Sequence, residues 1–235
     1  MPIHIKAESS DLADSVLLPG NPERAEYIAE EFLDEPELYN DYRKLLGYTG
    51  FFDGTKVSVQ TTGMGVPSAN IIMEELNMLR VSRVVRVGTC GALSEGLNLA
   101  DLVLPQSAAT IGTGINKIGE KAILSPASNF SLMRKLWKSA EKNSIPIHVG
   151  QVVTSDYFYE VDSEIIKKLA NHGVLAAEME TAGIFNKASK FGIEAASVLT
   201  VSDLFFEEER ASRKKIVEGV DRMTKIVLES LTEDS

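Results

Sequence analysis

The sequence predicts a layered α/β fold on three observations: short β-branched runs recur along the chain, segments of helical period lie between them, and no repeat, low-complexity segment or linker interrupts the alternation. Val16 to Leu18 reads as a buried strand, followed by a glycine turn and a helix that Asn21 would cap and Pro22 would open. That helix carries the period Ala25, Ile28, Ala29 and Phe32. Further strand-like runs are Val57-Ser58-Val59, Val84-Val85-Arg86-Val87, Leu102-Val103-Leu104, Val149 to Val153 and Ala195 to Val201. Further helical periods are Ile72, Leu76 and Leu79; Met133, Leu136, Trp137 and Ala140; and Ile216, Val220, Met223, Val227 and Leu231. The weakly patterned stretch from Ala108 to Pro126, with Gly112-Thr113-Gly114 inside it, reads as a long connection. Glu207-Glu208-Glu209-Arg210 reads as a solvated loop or helix start.

A chain of 235 residues, 44% hydrophobic and 25% charged, has the size and composition of one domain spanning 1–235 that buries its own core. The single cysteine, Cys90, has no partner for a disulfide, and the opening Met1-Pro2-Ile3-His4 lacks the basic and apolar regions of a signal peptide. The cytoplasm is the expected compartment. No apolar run reaches the ~20 residues of a membrane span. A formal charge of −10 argues against nucleic acid as a partner, so any anionic ligand has to be held by local positive charge. His4, His148 and His172 show no metal-ligand spacing, and no metal is expected.

Two segments carry such local charge. In Leu18-Pro19-Gly20-Asn21-Pro22-Glu23-Arg24, the free N–H groups of a helix start would favour an anion, Gly20 would allow close approach, and Arg24 sits in the first turn. Alone, this segment reads first as a good turn with a surface arginine. Arg86 is different, because a guanidinium inside a valine run needs an opposite charge, from a carboxylate or from a bound anion. The glycines at 88 and 91 are expected to mark the end of that strand, with Thr89 offering a hydroxyl and a backbone N–H beside Arg86.

Glu178 and Glu180 stand two apart among small apolar residues, where a strand-like stretch gives way to a helix containing Phe185 and Ala188. Carboxylates in such surroundings need donors, which ribose hydroxyls would supply; a helix N-terminus explains one of them as well. Asp203 emerges at the end of the last apolar strand, where partial burial would suit a proton donor and where it could equally cap a helix. Ser155-Asp156-Tyr157-Phe158-Tyr159 is an aromatic cluster suited to a base, a sugar or core packing.

Together with Gly63-Met64-Gly65-Val66-Pro67-Ser68, these segments closely resemble the bacterial-type, hexameric purine nucleoside phosphorylases, from His4 to the final helix. The resemblance implies a three-layer α/β/α sandwich around a central mixed β-sheet. It implies that Gly20, Arg24, Arg86 and Thr89 bind phosphate as co-substrate, with Arg43 reaching across from a neighbouring subunit. Glu180 and Met179 would hold the ribose hydroxyls with Glu178 beside them, Met64 would pack on the sugar, and the neighbour's His4 would reach the 5′-hydroxyl. Cys90, Gly91, Phe158 and Ser202 complete the implied nucleoside contacts. Asp203 matches the acid that protonates purine N7, and no other cofactor is implied. A complete site then needs at least a dimer, and the resemblance points to a homohexamer of such dimers.

One position departs from the family pattern, which has an arginine assisting the acid from the segment that follows it. An ungapped register puts Ile216 there, with Arg210 and Arg213 nearby. Among rivals, a uridine phosphorylase would carry a glutamine and an arginine between Tyr159 and Glu178, where this chain has neither. A preference for methylthioadenosine stays open. A nucleosidase would not need three arginines, and a non-catalytic nucleoside-binding protein could lose Asp203.

Overall fold

The computed structural model describes residues 1–112, 117–118, 122–159, 162–207 and 209–232. In chain order the first half forms β1 (Ser15–Leu18), α1 (Pro22–Phe32), β2 (Asp34–Asn40), β3 (Gly47–Phe52), β4 (Thr55–Gln60), α2 (Val66–Met78), β5 (Arg83–Ala92) and β6 (Leu102–Ile111). The second half forms β7 (Lys117–Ile118), β8 (Ala122–Ile123), α3 (Phe130–Lys142), β9 (Ile147–Ser155), α4 (Ser163–Asn171), β10 (Ala176–Glu178), α5 (Thr181–Phe191), β11 (Glu194–Leu204), β12 (Glu209–Arg210) and α6 (Arg213–Thr232).

One mixed sheet runs β12-β11-β6-β9-β10-β5-β1-β4-β3-β2, and β7 pairs only with β8. Strand β11 also pairs in parallel with β5, so β5, β11, β6, β9 and β10 close on themselves as a small barrel within the sheet. Cys90, Val103, Val152, Ala176, Leu199 and Val201 form the apolar cluster these five strands share. Helices α1, α3 and α6 bury Ile28, Leu136 and Val227 with Val85, Val87 and Val198 in one core. Helices α2 and α5 bury Ile72, Leu76 and Phe185 with Val16, Val84 and Ala195 in another. These are the three layers of an α/β/α sandwich. Each of the strands and helices read from the sequence is present.

Local chemistry explains the element ends that matter here. Asn21 accepts from Glu23 N at 3.0 Å and Pro22 opens α1, as the sequence predicts. Glu180 occupies the cap position of α5, and Gly192 closes that helix in the left-handed region at φ 70°.

Two expectations change. The stretch from Ala108 is no simple connection: β6 continues to Ile111, and 117–118 pair with 122–123, while Thr113 and Gly114 lie outside the described residues, as does Glu208. The glycines at 88 and 91 do not end the strand, because β5 stays paired with β11 as far as Ala92.

At Gly219, α6 approaches β11 so closely that an added Cβ would collide with Thr200 Cγ2 and lie 3.4 Å from Ala100 O. Helix propensity alone favours alanine there by roughly 1 kcal/mol, whereas forcing two packed elements apart costs roughly 1–3 kcal/mol. Gly219→Ala is therefore expected to lower the calorimetric unfolding midpoint, by roughly 2–4 °C per kcal/mol lost. A raised midpoint would show that the helix can back away at no cost.

Candidate active site

Arg86 stands fourth in β5 with its side chain 4% exposed. An unpaired guanidinium at that depth would be strongly destabilising. Nε donates to Glu178 Oε2 at 3.0 Å, and Nη2 lies 2.5 Å from Glu180 Oε2. Burial opposes the charge on Arg86, but Glu180 and then Glu178 outweigh it and hold its pKa above the usual arginine value. Gly88 gives the guanidinium its room, since a Cβ there would come within 2.8 Å of Arg86 Cζ and Nη2.

The two glutamates differ in what they have left to offer. Glu178 accepts from Arg86, from Glu180 N and Thr181 N at 2.9 Å, and from the Thr154 hydroxyl, so both its oxygens are engaged. Glu180 takes Arg86 on one oxygen and Gly65 N at 2.5 Å on the other. Burial raises the pKa of Glu180 against the pull of Arg86, with Glu178 adding to the rise. Thr154, which sequence reasoning missed, also accepts from Ala182 N at 2.9 Å and ties β9 to the start of α5. A threonine closing a valine-rich run carries no signal that would single it out.

The first anion-facing segment meets this cluster. A Cβ on Gly20 would stand 4.0 Å from Arg86 Nη1 and 3.2 Å from Gly63 O, so the turn before α1, the Gly63 loop and the arginine converge. Arg24 donates to Val87 O at 3.2 Å, on the same strand as Arg86. Its pKa falls to about 10, through burial first and then the charge of Arg86, with Glu180 opposing. Among the described residues no carboxylate pairs with Arg24. Two neighbouring guanidiniums, one ion-paired and one without a direct carboxylate partner among the described residues, sit where a helix N-terminus adds its own positive end.

Asp203 reaches the same strand through a bulge. The register between β11 and β5 passes from Val201↔Cys90 to Asp203↔Gly91, leaving Ser202 as the extra residue. A Cβ on Gly91 would stand 2.5 Å from Asp203 Oδ2, so this second glycine makes room for the carboxylate. The Ser202 hydroxyl lies 2.8 Å from Asp203 Oδ1 and 3.2 Å from Cys90 O, so its one proton is shared between these acceptors. Burial, then Glu178 and Asp203, push the Cys90 thiol up, so it stays protonated at neutral pH. Arg210 is the antiparallel partner of Asp203, whereas Arg213 opens α6 and Ile216 packs against the core. The cross-strand position beside the acid therefore belongs to Arg210.

The remaining residues are spread more widely. Thr89 is partly exposed one residue from Cys90, and Met179 is partly exposed between the two glutamates. Met64 and Phe158 are 83% and 63% exposed, and Phe158 meets Tyr159 edge to face at 4.9 Å between ring centroids. His4 and Arg43 are set by other contacts: the His4 ring lies 6.3 Å from that of Tyr42, the residue before Arg43, and His4 Nδ1 lies 2.8 Å from Glu75 Oε1. Among the described residues no group of three or more His, Cys, Asp or Glu side chains is arranged to hold a metal, and no helix is long and apolar enough to cross a membrane.

Comparison with known proteins places the chain in a family. Residues 14–232 match the model of the phosphorylase superfamily. The chain is 41% identical over 232 residues to a DeoD-type purine nucleoside phosphorylase of Bacillus cytotoxicus, covering 98% of both chains. Proteins of the same name from Bacillus cereus strain ZK / E33L and Bacillus thuringiensis strain Al Hakam are 40% identical over the same 98%. The chain belongs to the phosphorylase superfamily, in the family of the DeoD-type purine nucleoside phosphorylases.

Proposed function

We propose that this protein cleaves purine nucleosides with inorganic phosphate, releasing the free base and a pentose 1-phosphate. The observation that carries the reading is Arg24, half-buried beside Arg86 at the Gly20 turn and, among the described residues, without a carboxylate paired directly with it. Phosphate is the direct partner that Arg24 is placed to take, and the N–H groups at the start of α1 and the Thr89 hydroxyl would share its oxygens.

A phosphate oxygen bonds to the anomeric carbon as the glycosidic bond breaks, and the bonding pair leaves with the base. Positive charge builds on the sugar ring, which the bound phosphate stabilises from its own face. Asp203 delivers a proton to N7, so the base departs neutral. Arg210, across the strand pair from Asp203, is the cation that would steady the acid after it gives up that proton. Glu180 and the backbone at Met179 would grip the ribose hydroxyls, and Glu178, its oxygens engaged, would hold Arg86 in line. Met64, Cys90, Gly91, Phe158 and Ser202 would line the nucleoside, with no cofactor or metal taking part.

His4 and Arg43 enter this scheme from a neighbouring copy, the role the family resemblance gives them, with His4 held by Glu75 beside Tyr42. The working unit is then at least a dimer, and a hexamer of dimers is the assembly we infer for this one-domain, cytoplasmic enzyme.

Arg24→Ala is expected to raise KM for phosphate by roughly tenfold to a hundredfold, the worth of one or two charge-assisted hydrogen bonds, while the unfolding midpoint holds because no carboxylate is left unpaired. Phosphate titrations of the initial rate decide it, and an unchanged KM would remove Arg24 from the anion site. Asp203→Asn is expected to slow inosine cleavage by roughly 10²–10⁴-fold, the usual worth of a positioned acid. Inosine turnover at the wild-type rate in that variant would show that N7 is not protonated from this side chain.

A further inference from the structure

The N-terminal segment is gathered by one buried carboxylate. Glu75, on α2 and 5% exposed, accepts the backbone N–H groups of Ile3, His4 and Ile5 at 2.7–3.0 Å. Its Oε1 also lies 2.8 Å from His4 Nδ1. Burial opposes ionisation of Glu75, but the His4 ring and these N–H groups outweigh it and hold the carboxyl below its usual range. An ionised carboxylate only accepts, so Nδ1 carries the ring proton, and in the neutral ring Nε2 is left as an acceptor.

The same segment is fastened to the turn that carries Arg43. Lys6 N donates to Asn40 Oδ1 at 2.9 Å, and Asn40 Nδ2 donates to Leu45 O at 2.5 Å. Asn40 is 2% exposed, and Lys6 Nζ stands 4.9 Å from the centre of the Tyr42 ring. Arg43 and Lys44 both hold positive φ, 54° and 60°, which non-glycine residues rarely adopt. Lys44 N to Asp41 O at 3.0 Å and Leu45 N to Tyr42 O at 3.1 Å keep the turn closed. Chain ends and exposed turns ordinarily fray unless tied down. Here buried polar groups on two different elements tie both to each other.

We propose that Glu75 and Asn40 are positioning residues that assemble His4 and Arg43 into one preformed patch, which a neighbouring copy of the chain uses to complete its nucleoside and phosphate sites. The proposal rests on the reading above that His4 and Arg43 act across a subunit boundary. Glu75 fixes the tautomer with which His4 meets the 5′-hydroxyl. Asn40 fixes the turn that aims Arg43.

Kinetics with inosine and with 5′-deoxyinosine, which lacks the hydroxyl, separate this role from a merely structural one. Glu75→Gln and His4→Ala are each expected to raise KM for inosine roughly tenfold, the worth of one hydrogen bond, and to match the wild type on 5′-deoxyinosine. Glu75→Asp, which keeps the charge and shortens the reach, serves the same comparison if Glu75→Gln does not fold. Asn40→Ala is expected to raise KM for phosphate by a similar factor while still distinguishing the two nucleosides. A Glu75 variant impaired equally on both nucleosides, or a phosphate KM unmoved in Asn40→Ala, would overturn the positioning role. Failure of His4→Ala to distinguish the nucleosides would instead reject the reading on which the proposal rests.

Discussion

The structure turns on a guanidinium buried in a strand. Arg86 can be there only because Glu178 and Glu180 meet it from the junction of β10 and α5. Removing one partner of such a buried pair costs about 3–5 kcal/mol, a large part of what holds an ordinary domain together. The cluster therefore fixes more than a charge: it sets where α5 begins, through Thr181 N on Glu178 and Gly65 N on Glu180. Scaffold and site are the same set of interactions.

Beside that cluster, Arg24 makes no direct ion pair among the described residues, although Glu180 acts on it through space. It lies close enough to Arg86 to be repelled by it, and among the described residues its hydrogen-bond partner is the carbonyl of Val87. A guanidinium that makes no direct ion pair, at a helix N-terminus, is available to an anion from outside. Two glycines of β5 serve the same end by removing bulk, Gly88 under Arg86 and Gly91 under Asp203. The bulge at Ser202 then turns Asp203 onto β5, where its register partner is Gly91. Charged groups from two strands, Arg86 and Asp203, thus share one stretch of backbone from Arg86 to Gly91.

Much of this was legible in the sequence because burial leaves a strong mark. The runs at Val84 to Val87 and Ala195 to Val201 could only be interior strands, and an arginine inside one demanded a counter-charge. The Asn21 cap and Pro22 announced α1 for equally local reasons. Strand β2, Asp34–Asn40, was illegible: it is a mostly exposed, acidic edge with no apolar alternation, and its one strand partner is β3. The role of Gly88 was misread because a glycine that ends a strand and a glycine that clears space for a neighbouring side chain look alike in a sequence. Thr154, Asn40 and Glu75 were invisible for a different reason. Their significance lies in hydrogen bonds to residues 24, 34 and 71 positions away, which no local pattern encodes.

The most direct test is a crystal structure of the protein soaked with orthophosphate. The account predicts one anion bound between the guanidiniums of Arg24 and Arg86, accepting from backbone N–H groups at the Gly20 turn. Density for the ion elsewhere, with Arg24 turned to solvent and away from Arg86, would contradict it.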